Sequence, residues 1–119
     1  MAIERLEPRR GAGPHMNGIV VHNDTIYLAG QVARGVEPDI KKQTAAILAN
    51  IDRQLAVVGS SKSKLLSTNI WITDFANFAA MNEVWNAWID PDNMPVRACV
   101  QSQLAAPEYL IEIMITAAR

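Results

Sequence analysis

The chain has one cysteine, two histidines and no apolar run approaching the length of a membrane span. A lone thiol excludes an internal disulfide framework and offers no CxxC or Cys/His metal spacing, so no metal or other cofactor is expected. The start, Met-Ala-Ile-Glu-Arg, lacks the apolar core of a secretion signal, which leads to the expectation of a cytoplasmic protein with no membrane partner. Charge of one sign is missing too: 11 basic against 12 acidic residues leave a net charge of -1, with no general attraction to nucleic acid. The basic cluster Arg5, Arg9 and Arg10 is interleaved with Glu4 and Glu7 and reads as solvated N-terminal charge. His15 and His22 lie in separate segments, not spaced as a pair for RNA cleavage.

What is present is a hydrophobic half in 119 residues, enough for one globular domain over 1–119 with a modest core. Residues 2–7 alternate loosely, as an edge strand would, and Pro8 to Pro14 reads as a loop. Gly18 to His22 and Thr25 to Gly30, joined by Asn23-Asp24, form a β-hairpin pattern. Pro38-Asp39 opens a helix whose apolar positions Ile40, Thr44, Ile47, Leu48, Ile51, Leu55 and Val58 keep helical spacing until Gly59. Leu65 to Thr73 reads as a strand. Asp74 caps a second helix through Ile89, its stripe of Phe75, Phe78, Met81, Trp85 and Trp88 assigned to the core.

Two final runs, Pro95 to Leu104 and Tyr109 to Thr116, are β-prone and read as adjacent strands. Alternation puts Arg97, Cys99, Gln101 and Gln103 on one face of the first; Leu110, Glu112, Met114 and Thr116 share a face of the second. Arg97, Cys99 and Glu112 converge on one polar spot if the faces match that way, and the sequence leaves that matching open. An Arg and a Glu in apolar strands are either a structural or interface ion pair, or point into a cleft where a ligand completes them. Cys99 is a small buried hydrophobe, a thiol lining a site, or a nucleophile without a nearby histidine. The Tyr109 to Thr116 strand is apolar on both sides, so with both helices on one face the other calls for a second subunit. The class is α+β, a sheet with two helices.

Tyr27-Leu-Ala-Gly-Gln31, the helix with Asn50-Ile51, Trp71-Ile-Thr-Asp-Phe75, Met81-Asn82, Pro95-Val-Arg-Ala-Cys99 and Ile111-Glu-Ile113 resemble the Rid family of reactive intermediate deaminases, also described as YjgF-like or L-PSP endoribonuclease. The likeness runs in register from about Gly13 onward. It implies a chorismate-mutase-like fold, one mixed sheet backed by two helices, three copies of which form a homotrimeric barrel with ligand clefts between subunits. It also implies hydrolysis of 2-imino and enamine intermediates to a 2-keto acid and ammonia, without a cofactor.

By this resemblance Arg97 grips the substrate carboxylate, a role suited to a planar guanidinium, and Glu112 orients or deprotonates the attacking water. Cys99 and the backbone around Gly30 line the pocket, and Asn82 occupies a position the family often keeps. The chain departs from the family's best-studied deaminases at His15, where they carry an aromatic hydroxyl, at Ala29 in place of serine, and at Met114 in place of a second acid. The loops Val32 to Glu37 and Asp90 to Met94 look shortened. A pocket that binds a small carboxylate without turnover is the alternative. The family's historical ribonuclease or translation-inhibitor label finds no support in the charge.

Overall fold

The computed structural model describes residues 2–119. Its strands are β1 (Ile3–Arg9), β2 (Met16–His22), β3 (Thr25–Leu28), β4 (Leu65–Ile72), β5 (Val96–Gln101) and β6 (Ile111–Ala118), with helices α1 (Ile40–Val57) and α2 (Phe78–Trp88). They form one six-stranded sheet in the order β1-β2-β3-β6-β4-β5. All pairs are antiparallel except β4 and β5, which run parallel. That parallel pair is what α2 makes possible, since parallel neighbours need a crossover connection.

Local chemistry explains the element ends. Asn23 takes φ 57° in the β2–β3 turn, a left-handed conformation Asn tolerates. Asp39 caps α1 by accepting from the Lys42 backbone N–H at 2.9 Å, and α1 closes where Gly59 adopts φ 74°. Asp74 also caps as expected, accepting from Ala76 N–H at 2.8 Å, but the turn it starts is a short 3-10 segment, Phe75–Asn77, and α2 proper begins at Phe78. The edge strand β1 extends through Pro8 and Arg9, two residues expected in the following loop.

One face of the sheet packs on both helices. Ile19, Val21, Ile26, Leu28, Ile70, Ile72, Ile111, Ile113 and Ile115 are at most 1% exposed there, against Ile47, Leu48, Ile51 and Leu55 of α1 and Met81 and Trp85 of α2. Each such side chain contributes roughly 1.5–3 kcal/mol of transfer free energy, so this face carries most of the stabilisation. Of the expected aromatic stripe, Trp85 is buried, Phe78 and Trp88 are half-buried, and Phe75 is 45% exposed.

The opposite face has no layer over it in the single chain. Tyr27, Val96, Val100 and Met114 are exposed, together with half-buried Val20 and Trp71. Cross-strand register aligns them in rows: Val20 beside Tyr27, Met114 beside Asn69, and Glu112 beside Trp71, which in turn faces Val100.

Candidate functional site

The two final strands are not neighbours. β4 lies between β5 and β6, because α2 carries the chain across β4 to its outer edge and the last strand returns to the inner one. Thr68 pairs with Arg97 and Ile70 with Cys99 on one side of β4, while Ile70 pairs with Ile113 and Trp71 with Glu112 on the other. Direct partners share a face, so Arg97 and Cys99 stand on the helix side with Ile113, and Glu112 stands on the open side. With a three-residue offset along the strands and two strand spacings across, their α-carbons are roughly 14 Å apart. The convergence of Arg97, Cys99 and Glu112 within one chain is therefore overturned.

Arg97 nonetheless sits in a built environment. Its Nη2 donates to Asn82 Oδ1 at 2.7 Å, and its Cζ lies 5.5 Å from the Trp85 ring centroid and 5.9 Å from that of Phe78. Asn82 comes from α2, one turn from both aromatic residues, so helical spacing delivers all three contacts. Stacking on aromatic faces contributes about 0.5–2 kcal/mol and holds the guanidinium plane. Among the described residues no carboxylate pairs with Arg97, leaving N–H donors of this half-buried cation for an anion from elsewhere. Cys99 lies two residues along on the same face, where burial pushes its thiol above the ordinary value against the opposing pull of Arg97.

Glu112 belongs to a second cluster at the far end of the sheet. Gln31 and Ile113 exchange backbone hydrogen bonds at 2.9 and 3.0 Å, which brings Gly30 against Glu112. A Cβ built on Gly30 would collide with Glu112 Oε2 and lie 3.3 Å from its Cδ, so a glycine at position 30 is what makes room for the carboxylate. Ala29, half-buried, is held by its N–H to Gly18 O at 2.9 Å. His15 is exposed and borders a separate small cleft with Arg9, Arg10 and Asn17; it is not brought onto Glu112.

Polar residues that helical spacing alone did not reveal hold this end in place. Gln43 of α1, fully buried, donates to Glu108 O at 2.8 Å and accepts from Leu110 N–H at 2.9 Å, fixing the entry to β6 two residues before Glu112. Gln31 donates to Gln54 at 2.5 Å and accepts from Asn50 at 2.5 Å. Gln54 in turn donates to Glu7 at 3.0 Å, and Arg53 binds the same carboxylate through Nη1 and Nη2 at 2.9 and 3.2 Å. Glu7 reaches them because its φ of 54° breaks the strand alternation, turning its side chain to the helix side alongside Leu6. The Arg53 hydrogen bonds hold the Glu7 carboxyl below the ordinary carboxylate value, against the opposing effect of burial.

A cavity of about 590 Å³ is a groove between α1 and α2 bordered by Lys41, Leu48 and Trp88, and neither Arg97, Cys99, Glu112 nor Gly30 lines it. Among the described residues no three His, Cys, Asp or Glu side chains stand together as metal ligands, and no helix is long and apolar enough to cross a membrane.

A family model described as endoribonuclease L-PSP matches residues 7–119. The RutC family protein YoaB of Escherichia coli K12 is 41% identical over 118 residues, 99% of each chain. The crystal structure of NMB1025 from Neisseria meningitidis, described as a member of the YjgF protein family, superimposes with a TM-score of 0.91 at 40% identity, covering 100% of this chain and 96% of that one. YyfA from Yersinia pestis, a protein of unknown function of the conserved Rid family, superimposes with a TM-score of 0.87 at 26% identity, covering 99% and 100%.

Proposed function

The chain belongs to the endoribonuclease L-PSP family, whose members are also called RutC, YjgF or Rid proteins, and from that premise we propose a hydrolase of reactive 2-imino and enamine intermediates. Its site is composite, formed in a homotrimer where Arg97 of one subunit meets Glu112 and Gly30 of the next. The observation that carries this is the unpaired, aromatic-cradled guanidinium of Arg97 on β5, the terminal strand of the sheet. A second copy has access to that edge, and the exposed apolar open face supplies the area for association.

In the cleft, Arg97 binds the carboxylate of a 2-imino acid in a two-point grip while Asn82 keeps the guanidinium from rotating. A water between Glu112 and the imine carbon attacks that carbon. As the C–O bond forms, Glu112 accepts one water proton and passes it to the imine nitrogen, giving a carbinolamine. It then takes the hydroxyl proton and delivers it to the amine as the C–N bond breaks and the C=O bond forms, releasing ammonia and the 2-keto acid. Such proton transfer contributes about 10²–10⁴-fold, and an already reactive substrate leaves the rest to positioning. Water is the only co-reactant in this scheme.

Binding without turnover is favoured by two observations: Glu112 has no hydrogen-bond donor among the described residues to orient it, and its strand neighbour on the same face is apolar Met114. Calorimetry with pyruvate or 2-ketobutyrate beside a keto-acid release assay separates the two readings. For the ribonuclease reading, His15 precedes β2 and His22 ends it, so one chain holds them roughly 23 Å apart.

The composite site is tested by mixing subunits. Arg97→Ala and Glu112→Gln homotrimers are each inactive on imines generated by an amino-acid oxidase. Co-expressed mixed trimers regain about one third of wild-type activity, because a cyclic heterologous interface leaves one intact cleft in three. Mixed trimers as dead as both parents would sink the composite site, and an Arg97→Ala homotrimer as fast as wild type would sink the catalysis.

A further inference from the structure

Gly30 has a second neighbour besides Glu112. Arg9, the last residue of β1, and Arg34, in the loop after Gln31, line one cavity of about 170 Å³ with Gly30, Gln31, Val32 and Asn50. Both arginines also border a second cavity of about 460 Å³ beside Gly11, Gly13 and Pro14, so the two spaces share them as walls.

No acidic residue lines either cavity, and among the described residues neither arginine has a carboxylate partner. Glu7, two residues before Arg9, is already engaged by Arg53 and Gln54. Two cations border the same space; Glu7 feels Arg9 through space, so their mutual repulsion is offset in part but not by an ion pair, on a chain whose net charge is -1. The walls are held in place: Asn50 and Gln31 belong to the hydrogen-bond chain running to Gln54, and Arg34 is presented by a turn closed at Gly35, φ 73°. That backbone conformation suits glycine and disfavours any side chain.

We propose that Arg9 and Arg34 form an anion subsite beside Gly30 that takes the second carboxylate of a dicarboxylic 2-imino acid, so that the preferred product is a 2-keto dicarboxylic acid. This rests on the reading of Gly30 and Glu112 as part of a hydrolytic cleft. Arg97 of the neighbouring subunit holds the carboxylate next to the imine carbon, and the side-chain carboxylate extends past Gly30 toward the two guanidiniums. Planar N–H forks match carboxylate geometry. The cavity is small by the standard of ligand pockets, which run from about 300 Å³ upward; it suits a short carboxylate arm and not a nucleotide.

The test compares kcat/KM for imines generated by oxidases from glutamate or aspartate with those from 2-aminobutyrate, using wild-type protein, Arg9→Ala/Arg34→Ala, and the charge-preserving Arg9→Lys/Arg34→Lys. Wild type favours the dicarboxylic imine, the alanine variant lowers that preference about tenfold or more, as expected for lost charge-assisted hydrogen bonds, and the lysine variant falls between. Turnover of both imines with no preference, or a preference that survives in the alanine variant, overturns the subsite and leaves the hydrolase reading standing. If wild type accelerates neither imine, the hydrolase reading falls, and calorimetry with 2-ketoglutarate decides the subsite. Binding to wild type that weakens about tenfold in the alanine variant upholds it; equal binding, or none, overturns it.

Discussion

The carboxylate of Glu112 occupies the space a side chain at Gly30 would need. Oε2 lies inside the reach of a Cβ at that position, and no left-handed φ is involved at Gly30. The requirement for glycine is therefore one of contact and not of backbone conformation.

Gly30→Ala is accordingly expected to fold with a small stability loss, at the low end of about 1–3 kcal/mol for overpacking, because the clashing Oε2 ends a flexible side chain that can swing aside, while imine hydrolysis falls because Glu112 is displaced. Thermal melts of a double-mutant cycle check the cause: adding Glu112→Ala to Gly30→Ala returns most of the lost stability. Additive losses would place the strain somewhere other than on the carboxylate.

Cys99 is expected to be chemically quiet. Burial raises its pKa above the ordinary 9.0 even with Arg97 pulling the other way, and the thiolate is the reactive form. Iodoacetamide at pH 8 should modify it more slowly than free cysteine, and Cys99→Ser should keep hydrolysis within about threefold of wild type, since the proposed scheme forms no bond to sulfur. A variant as dead as Arg97→Ala would return the thiol to the chemistry.

The Glu7–Arg53 pair sets a pH dependence with a definite sign. The Glu7 carboxyl is held below 4.5, first by the Arg53 hydrogen bonds, so the unfolded chain takes up the proton first as pH falls. The stability contributed is full above the ordinary carboxylate value and disappears as pH drops through the lower folded value. Arg53 is exposed over about half its side chain, which confines the contribution to the order of 1 kcal/mol. Denaturant midpoints of wild type and Arg53→Ala should differ at neutral pH and converge in acid; a gap that persists there would assign it to packing.

The open face tests self-association. Val100 is 49% exposed and Met114 42%, and a charge placed in a hydrophobic interface loses its hydration without a partner. Val100→Asp or Met114→Lys is expected to leave the protein monomeric in light scattering where wild type runs as the proposed trimer, with hydrolysis lost in parallel. Wild-type protein that runs as a monomer would remove the trimer and the composite site together.

Much of the fold was legible because its signals are local. Alternation in Tyr109 to Thr116 put Ile111, Ile113 and Ile115 on one face, and all three are buried. Helical spacing from Ile40 marked the buried side of α1, and Asp39, Asp74 and Gly59 marked element ends. Hydropathy missed the buried glutamines, Gln43 and Gln54, because each relies on a partner far along the chain, Glu108 O for Gln43 and the Glu7 carboxylate for Gln54. Arg9 and Arg34 look like ordinary surface charge in sequence; only the cavity they share distinguishes them.

The amino-acid order alone determined which residues travel together: Arg97 with Cys99, Glu112 with Met114, and the apolar stripes of both helices. Strand and helix periods are properties of a few consecutive residues. Which strand β6 pairs with, and hence which side of the sheet receives Glu112, depends on contacts summed over segments far apart in the chain. Inserting β4 between β5 and β6 set the register that sends Arg97 and Glu112 to opposite faces. No local pattern encodes that parity, so it was decided only when the whole sheet assembled.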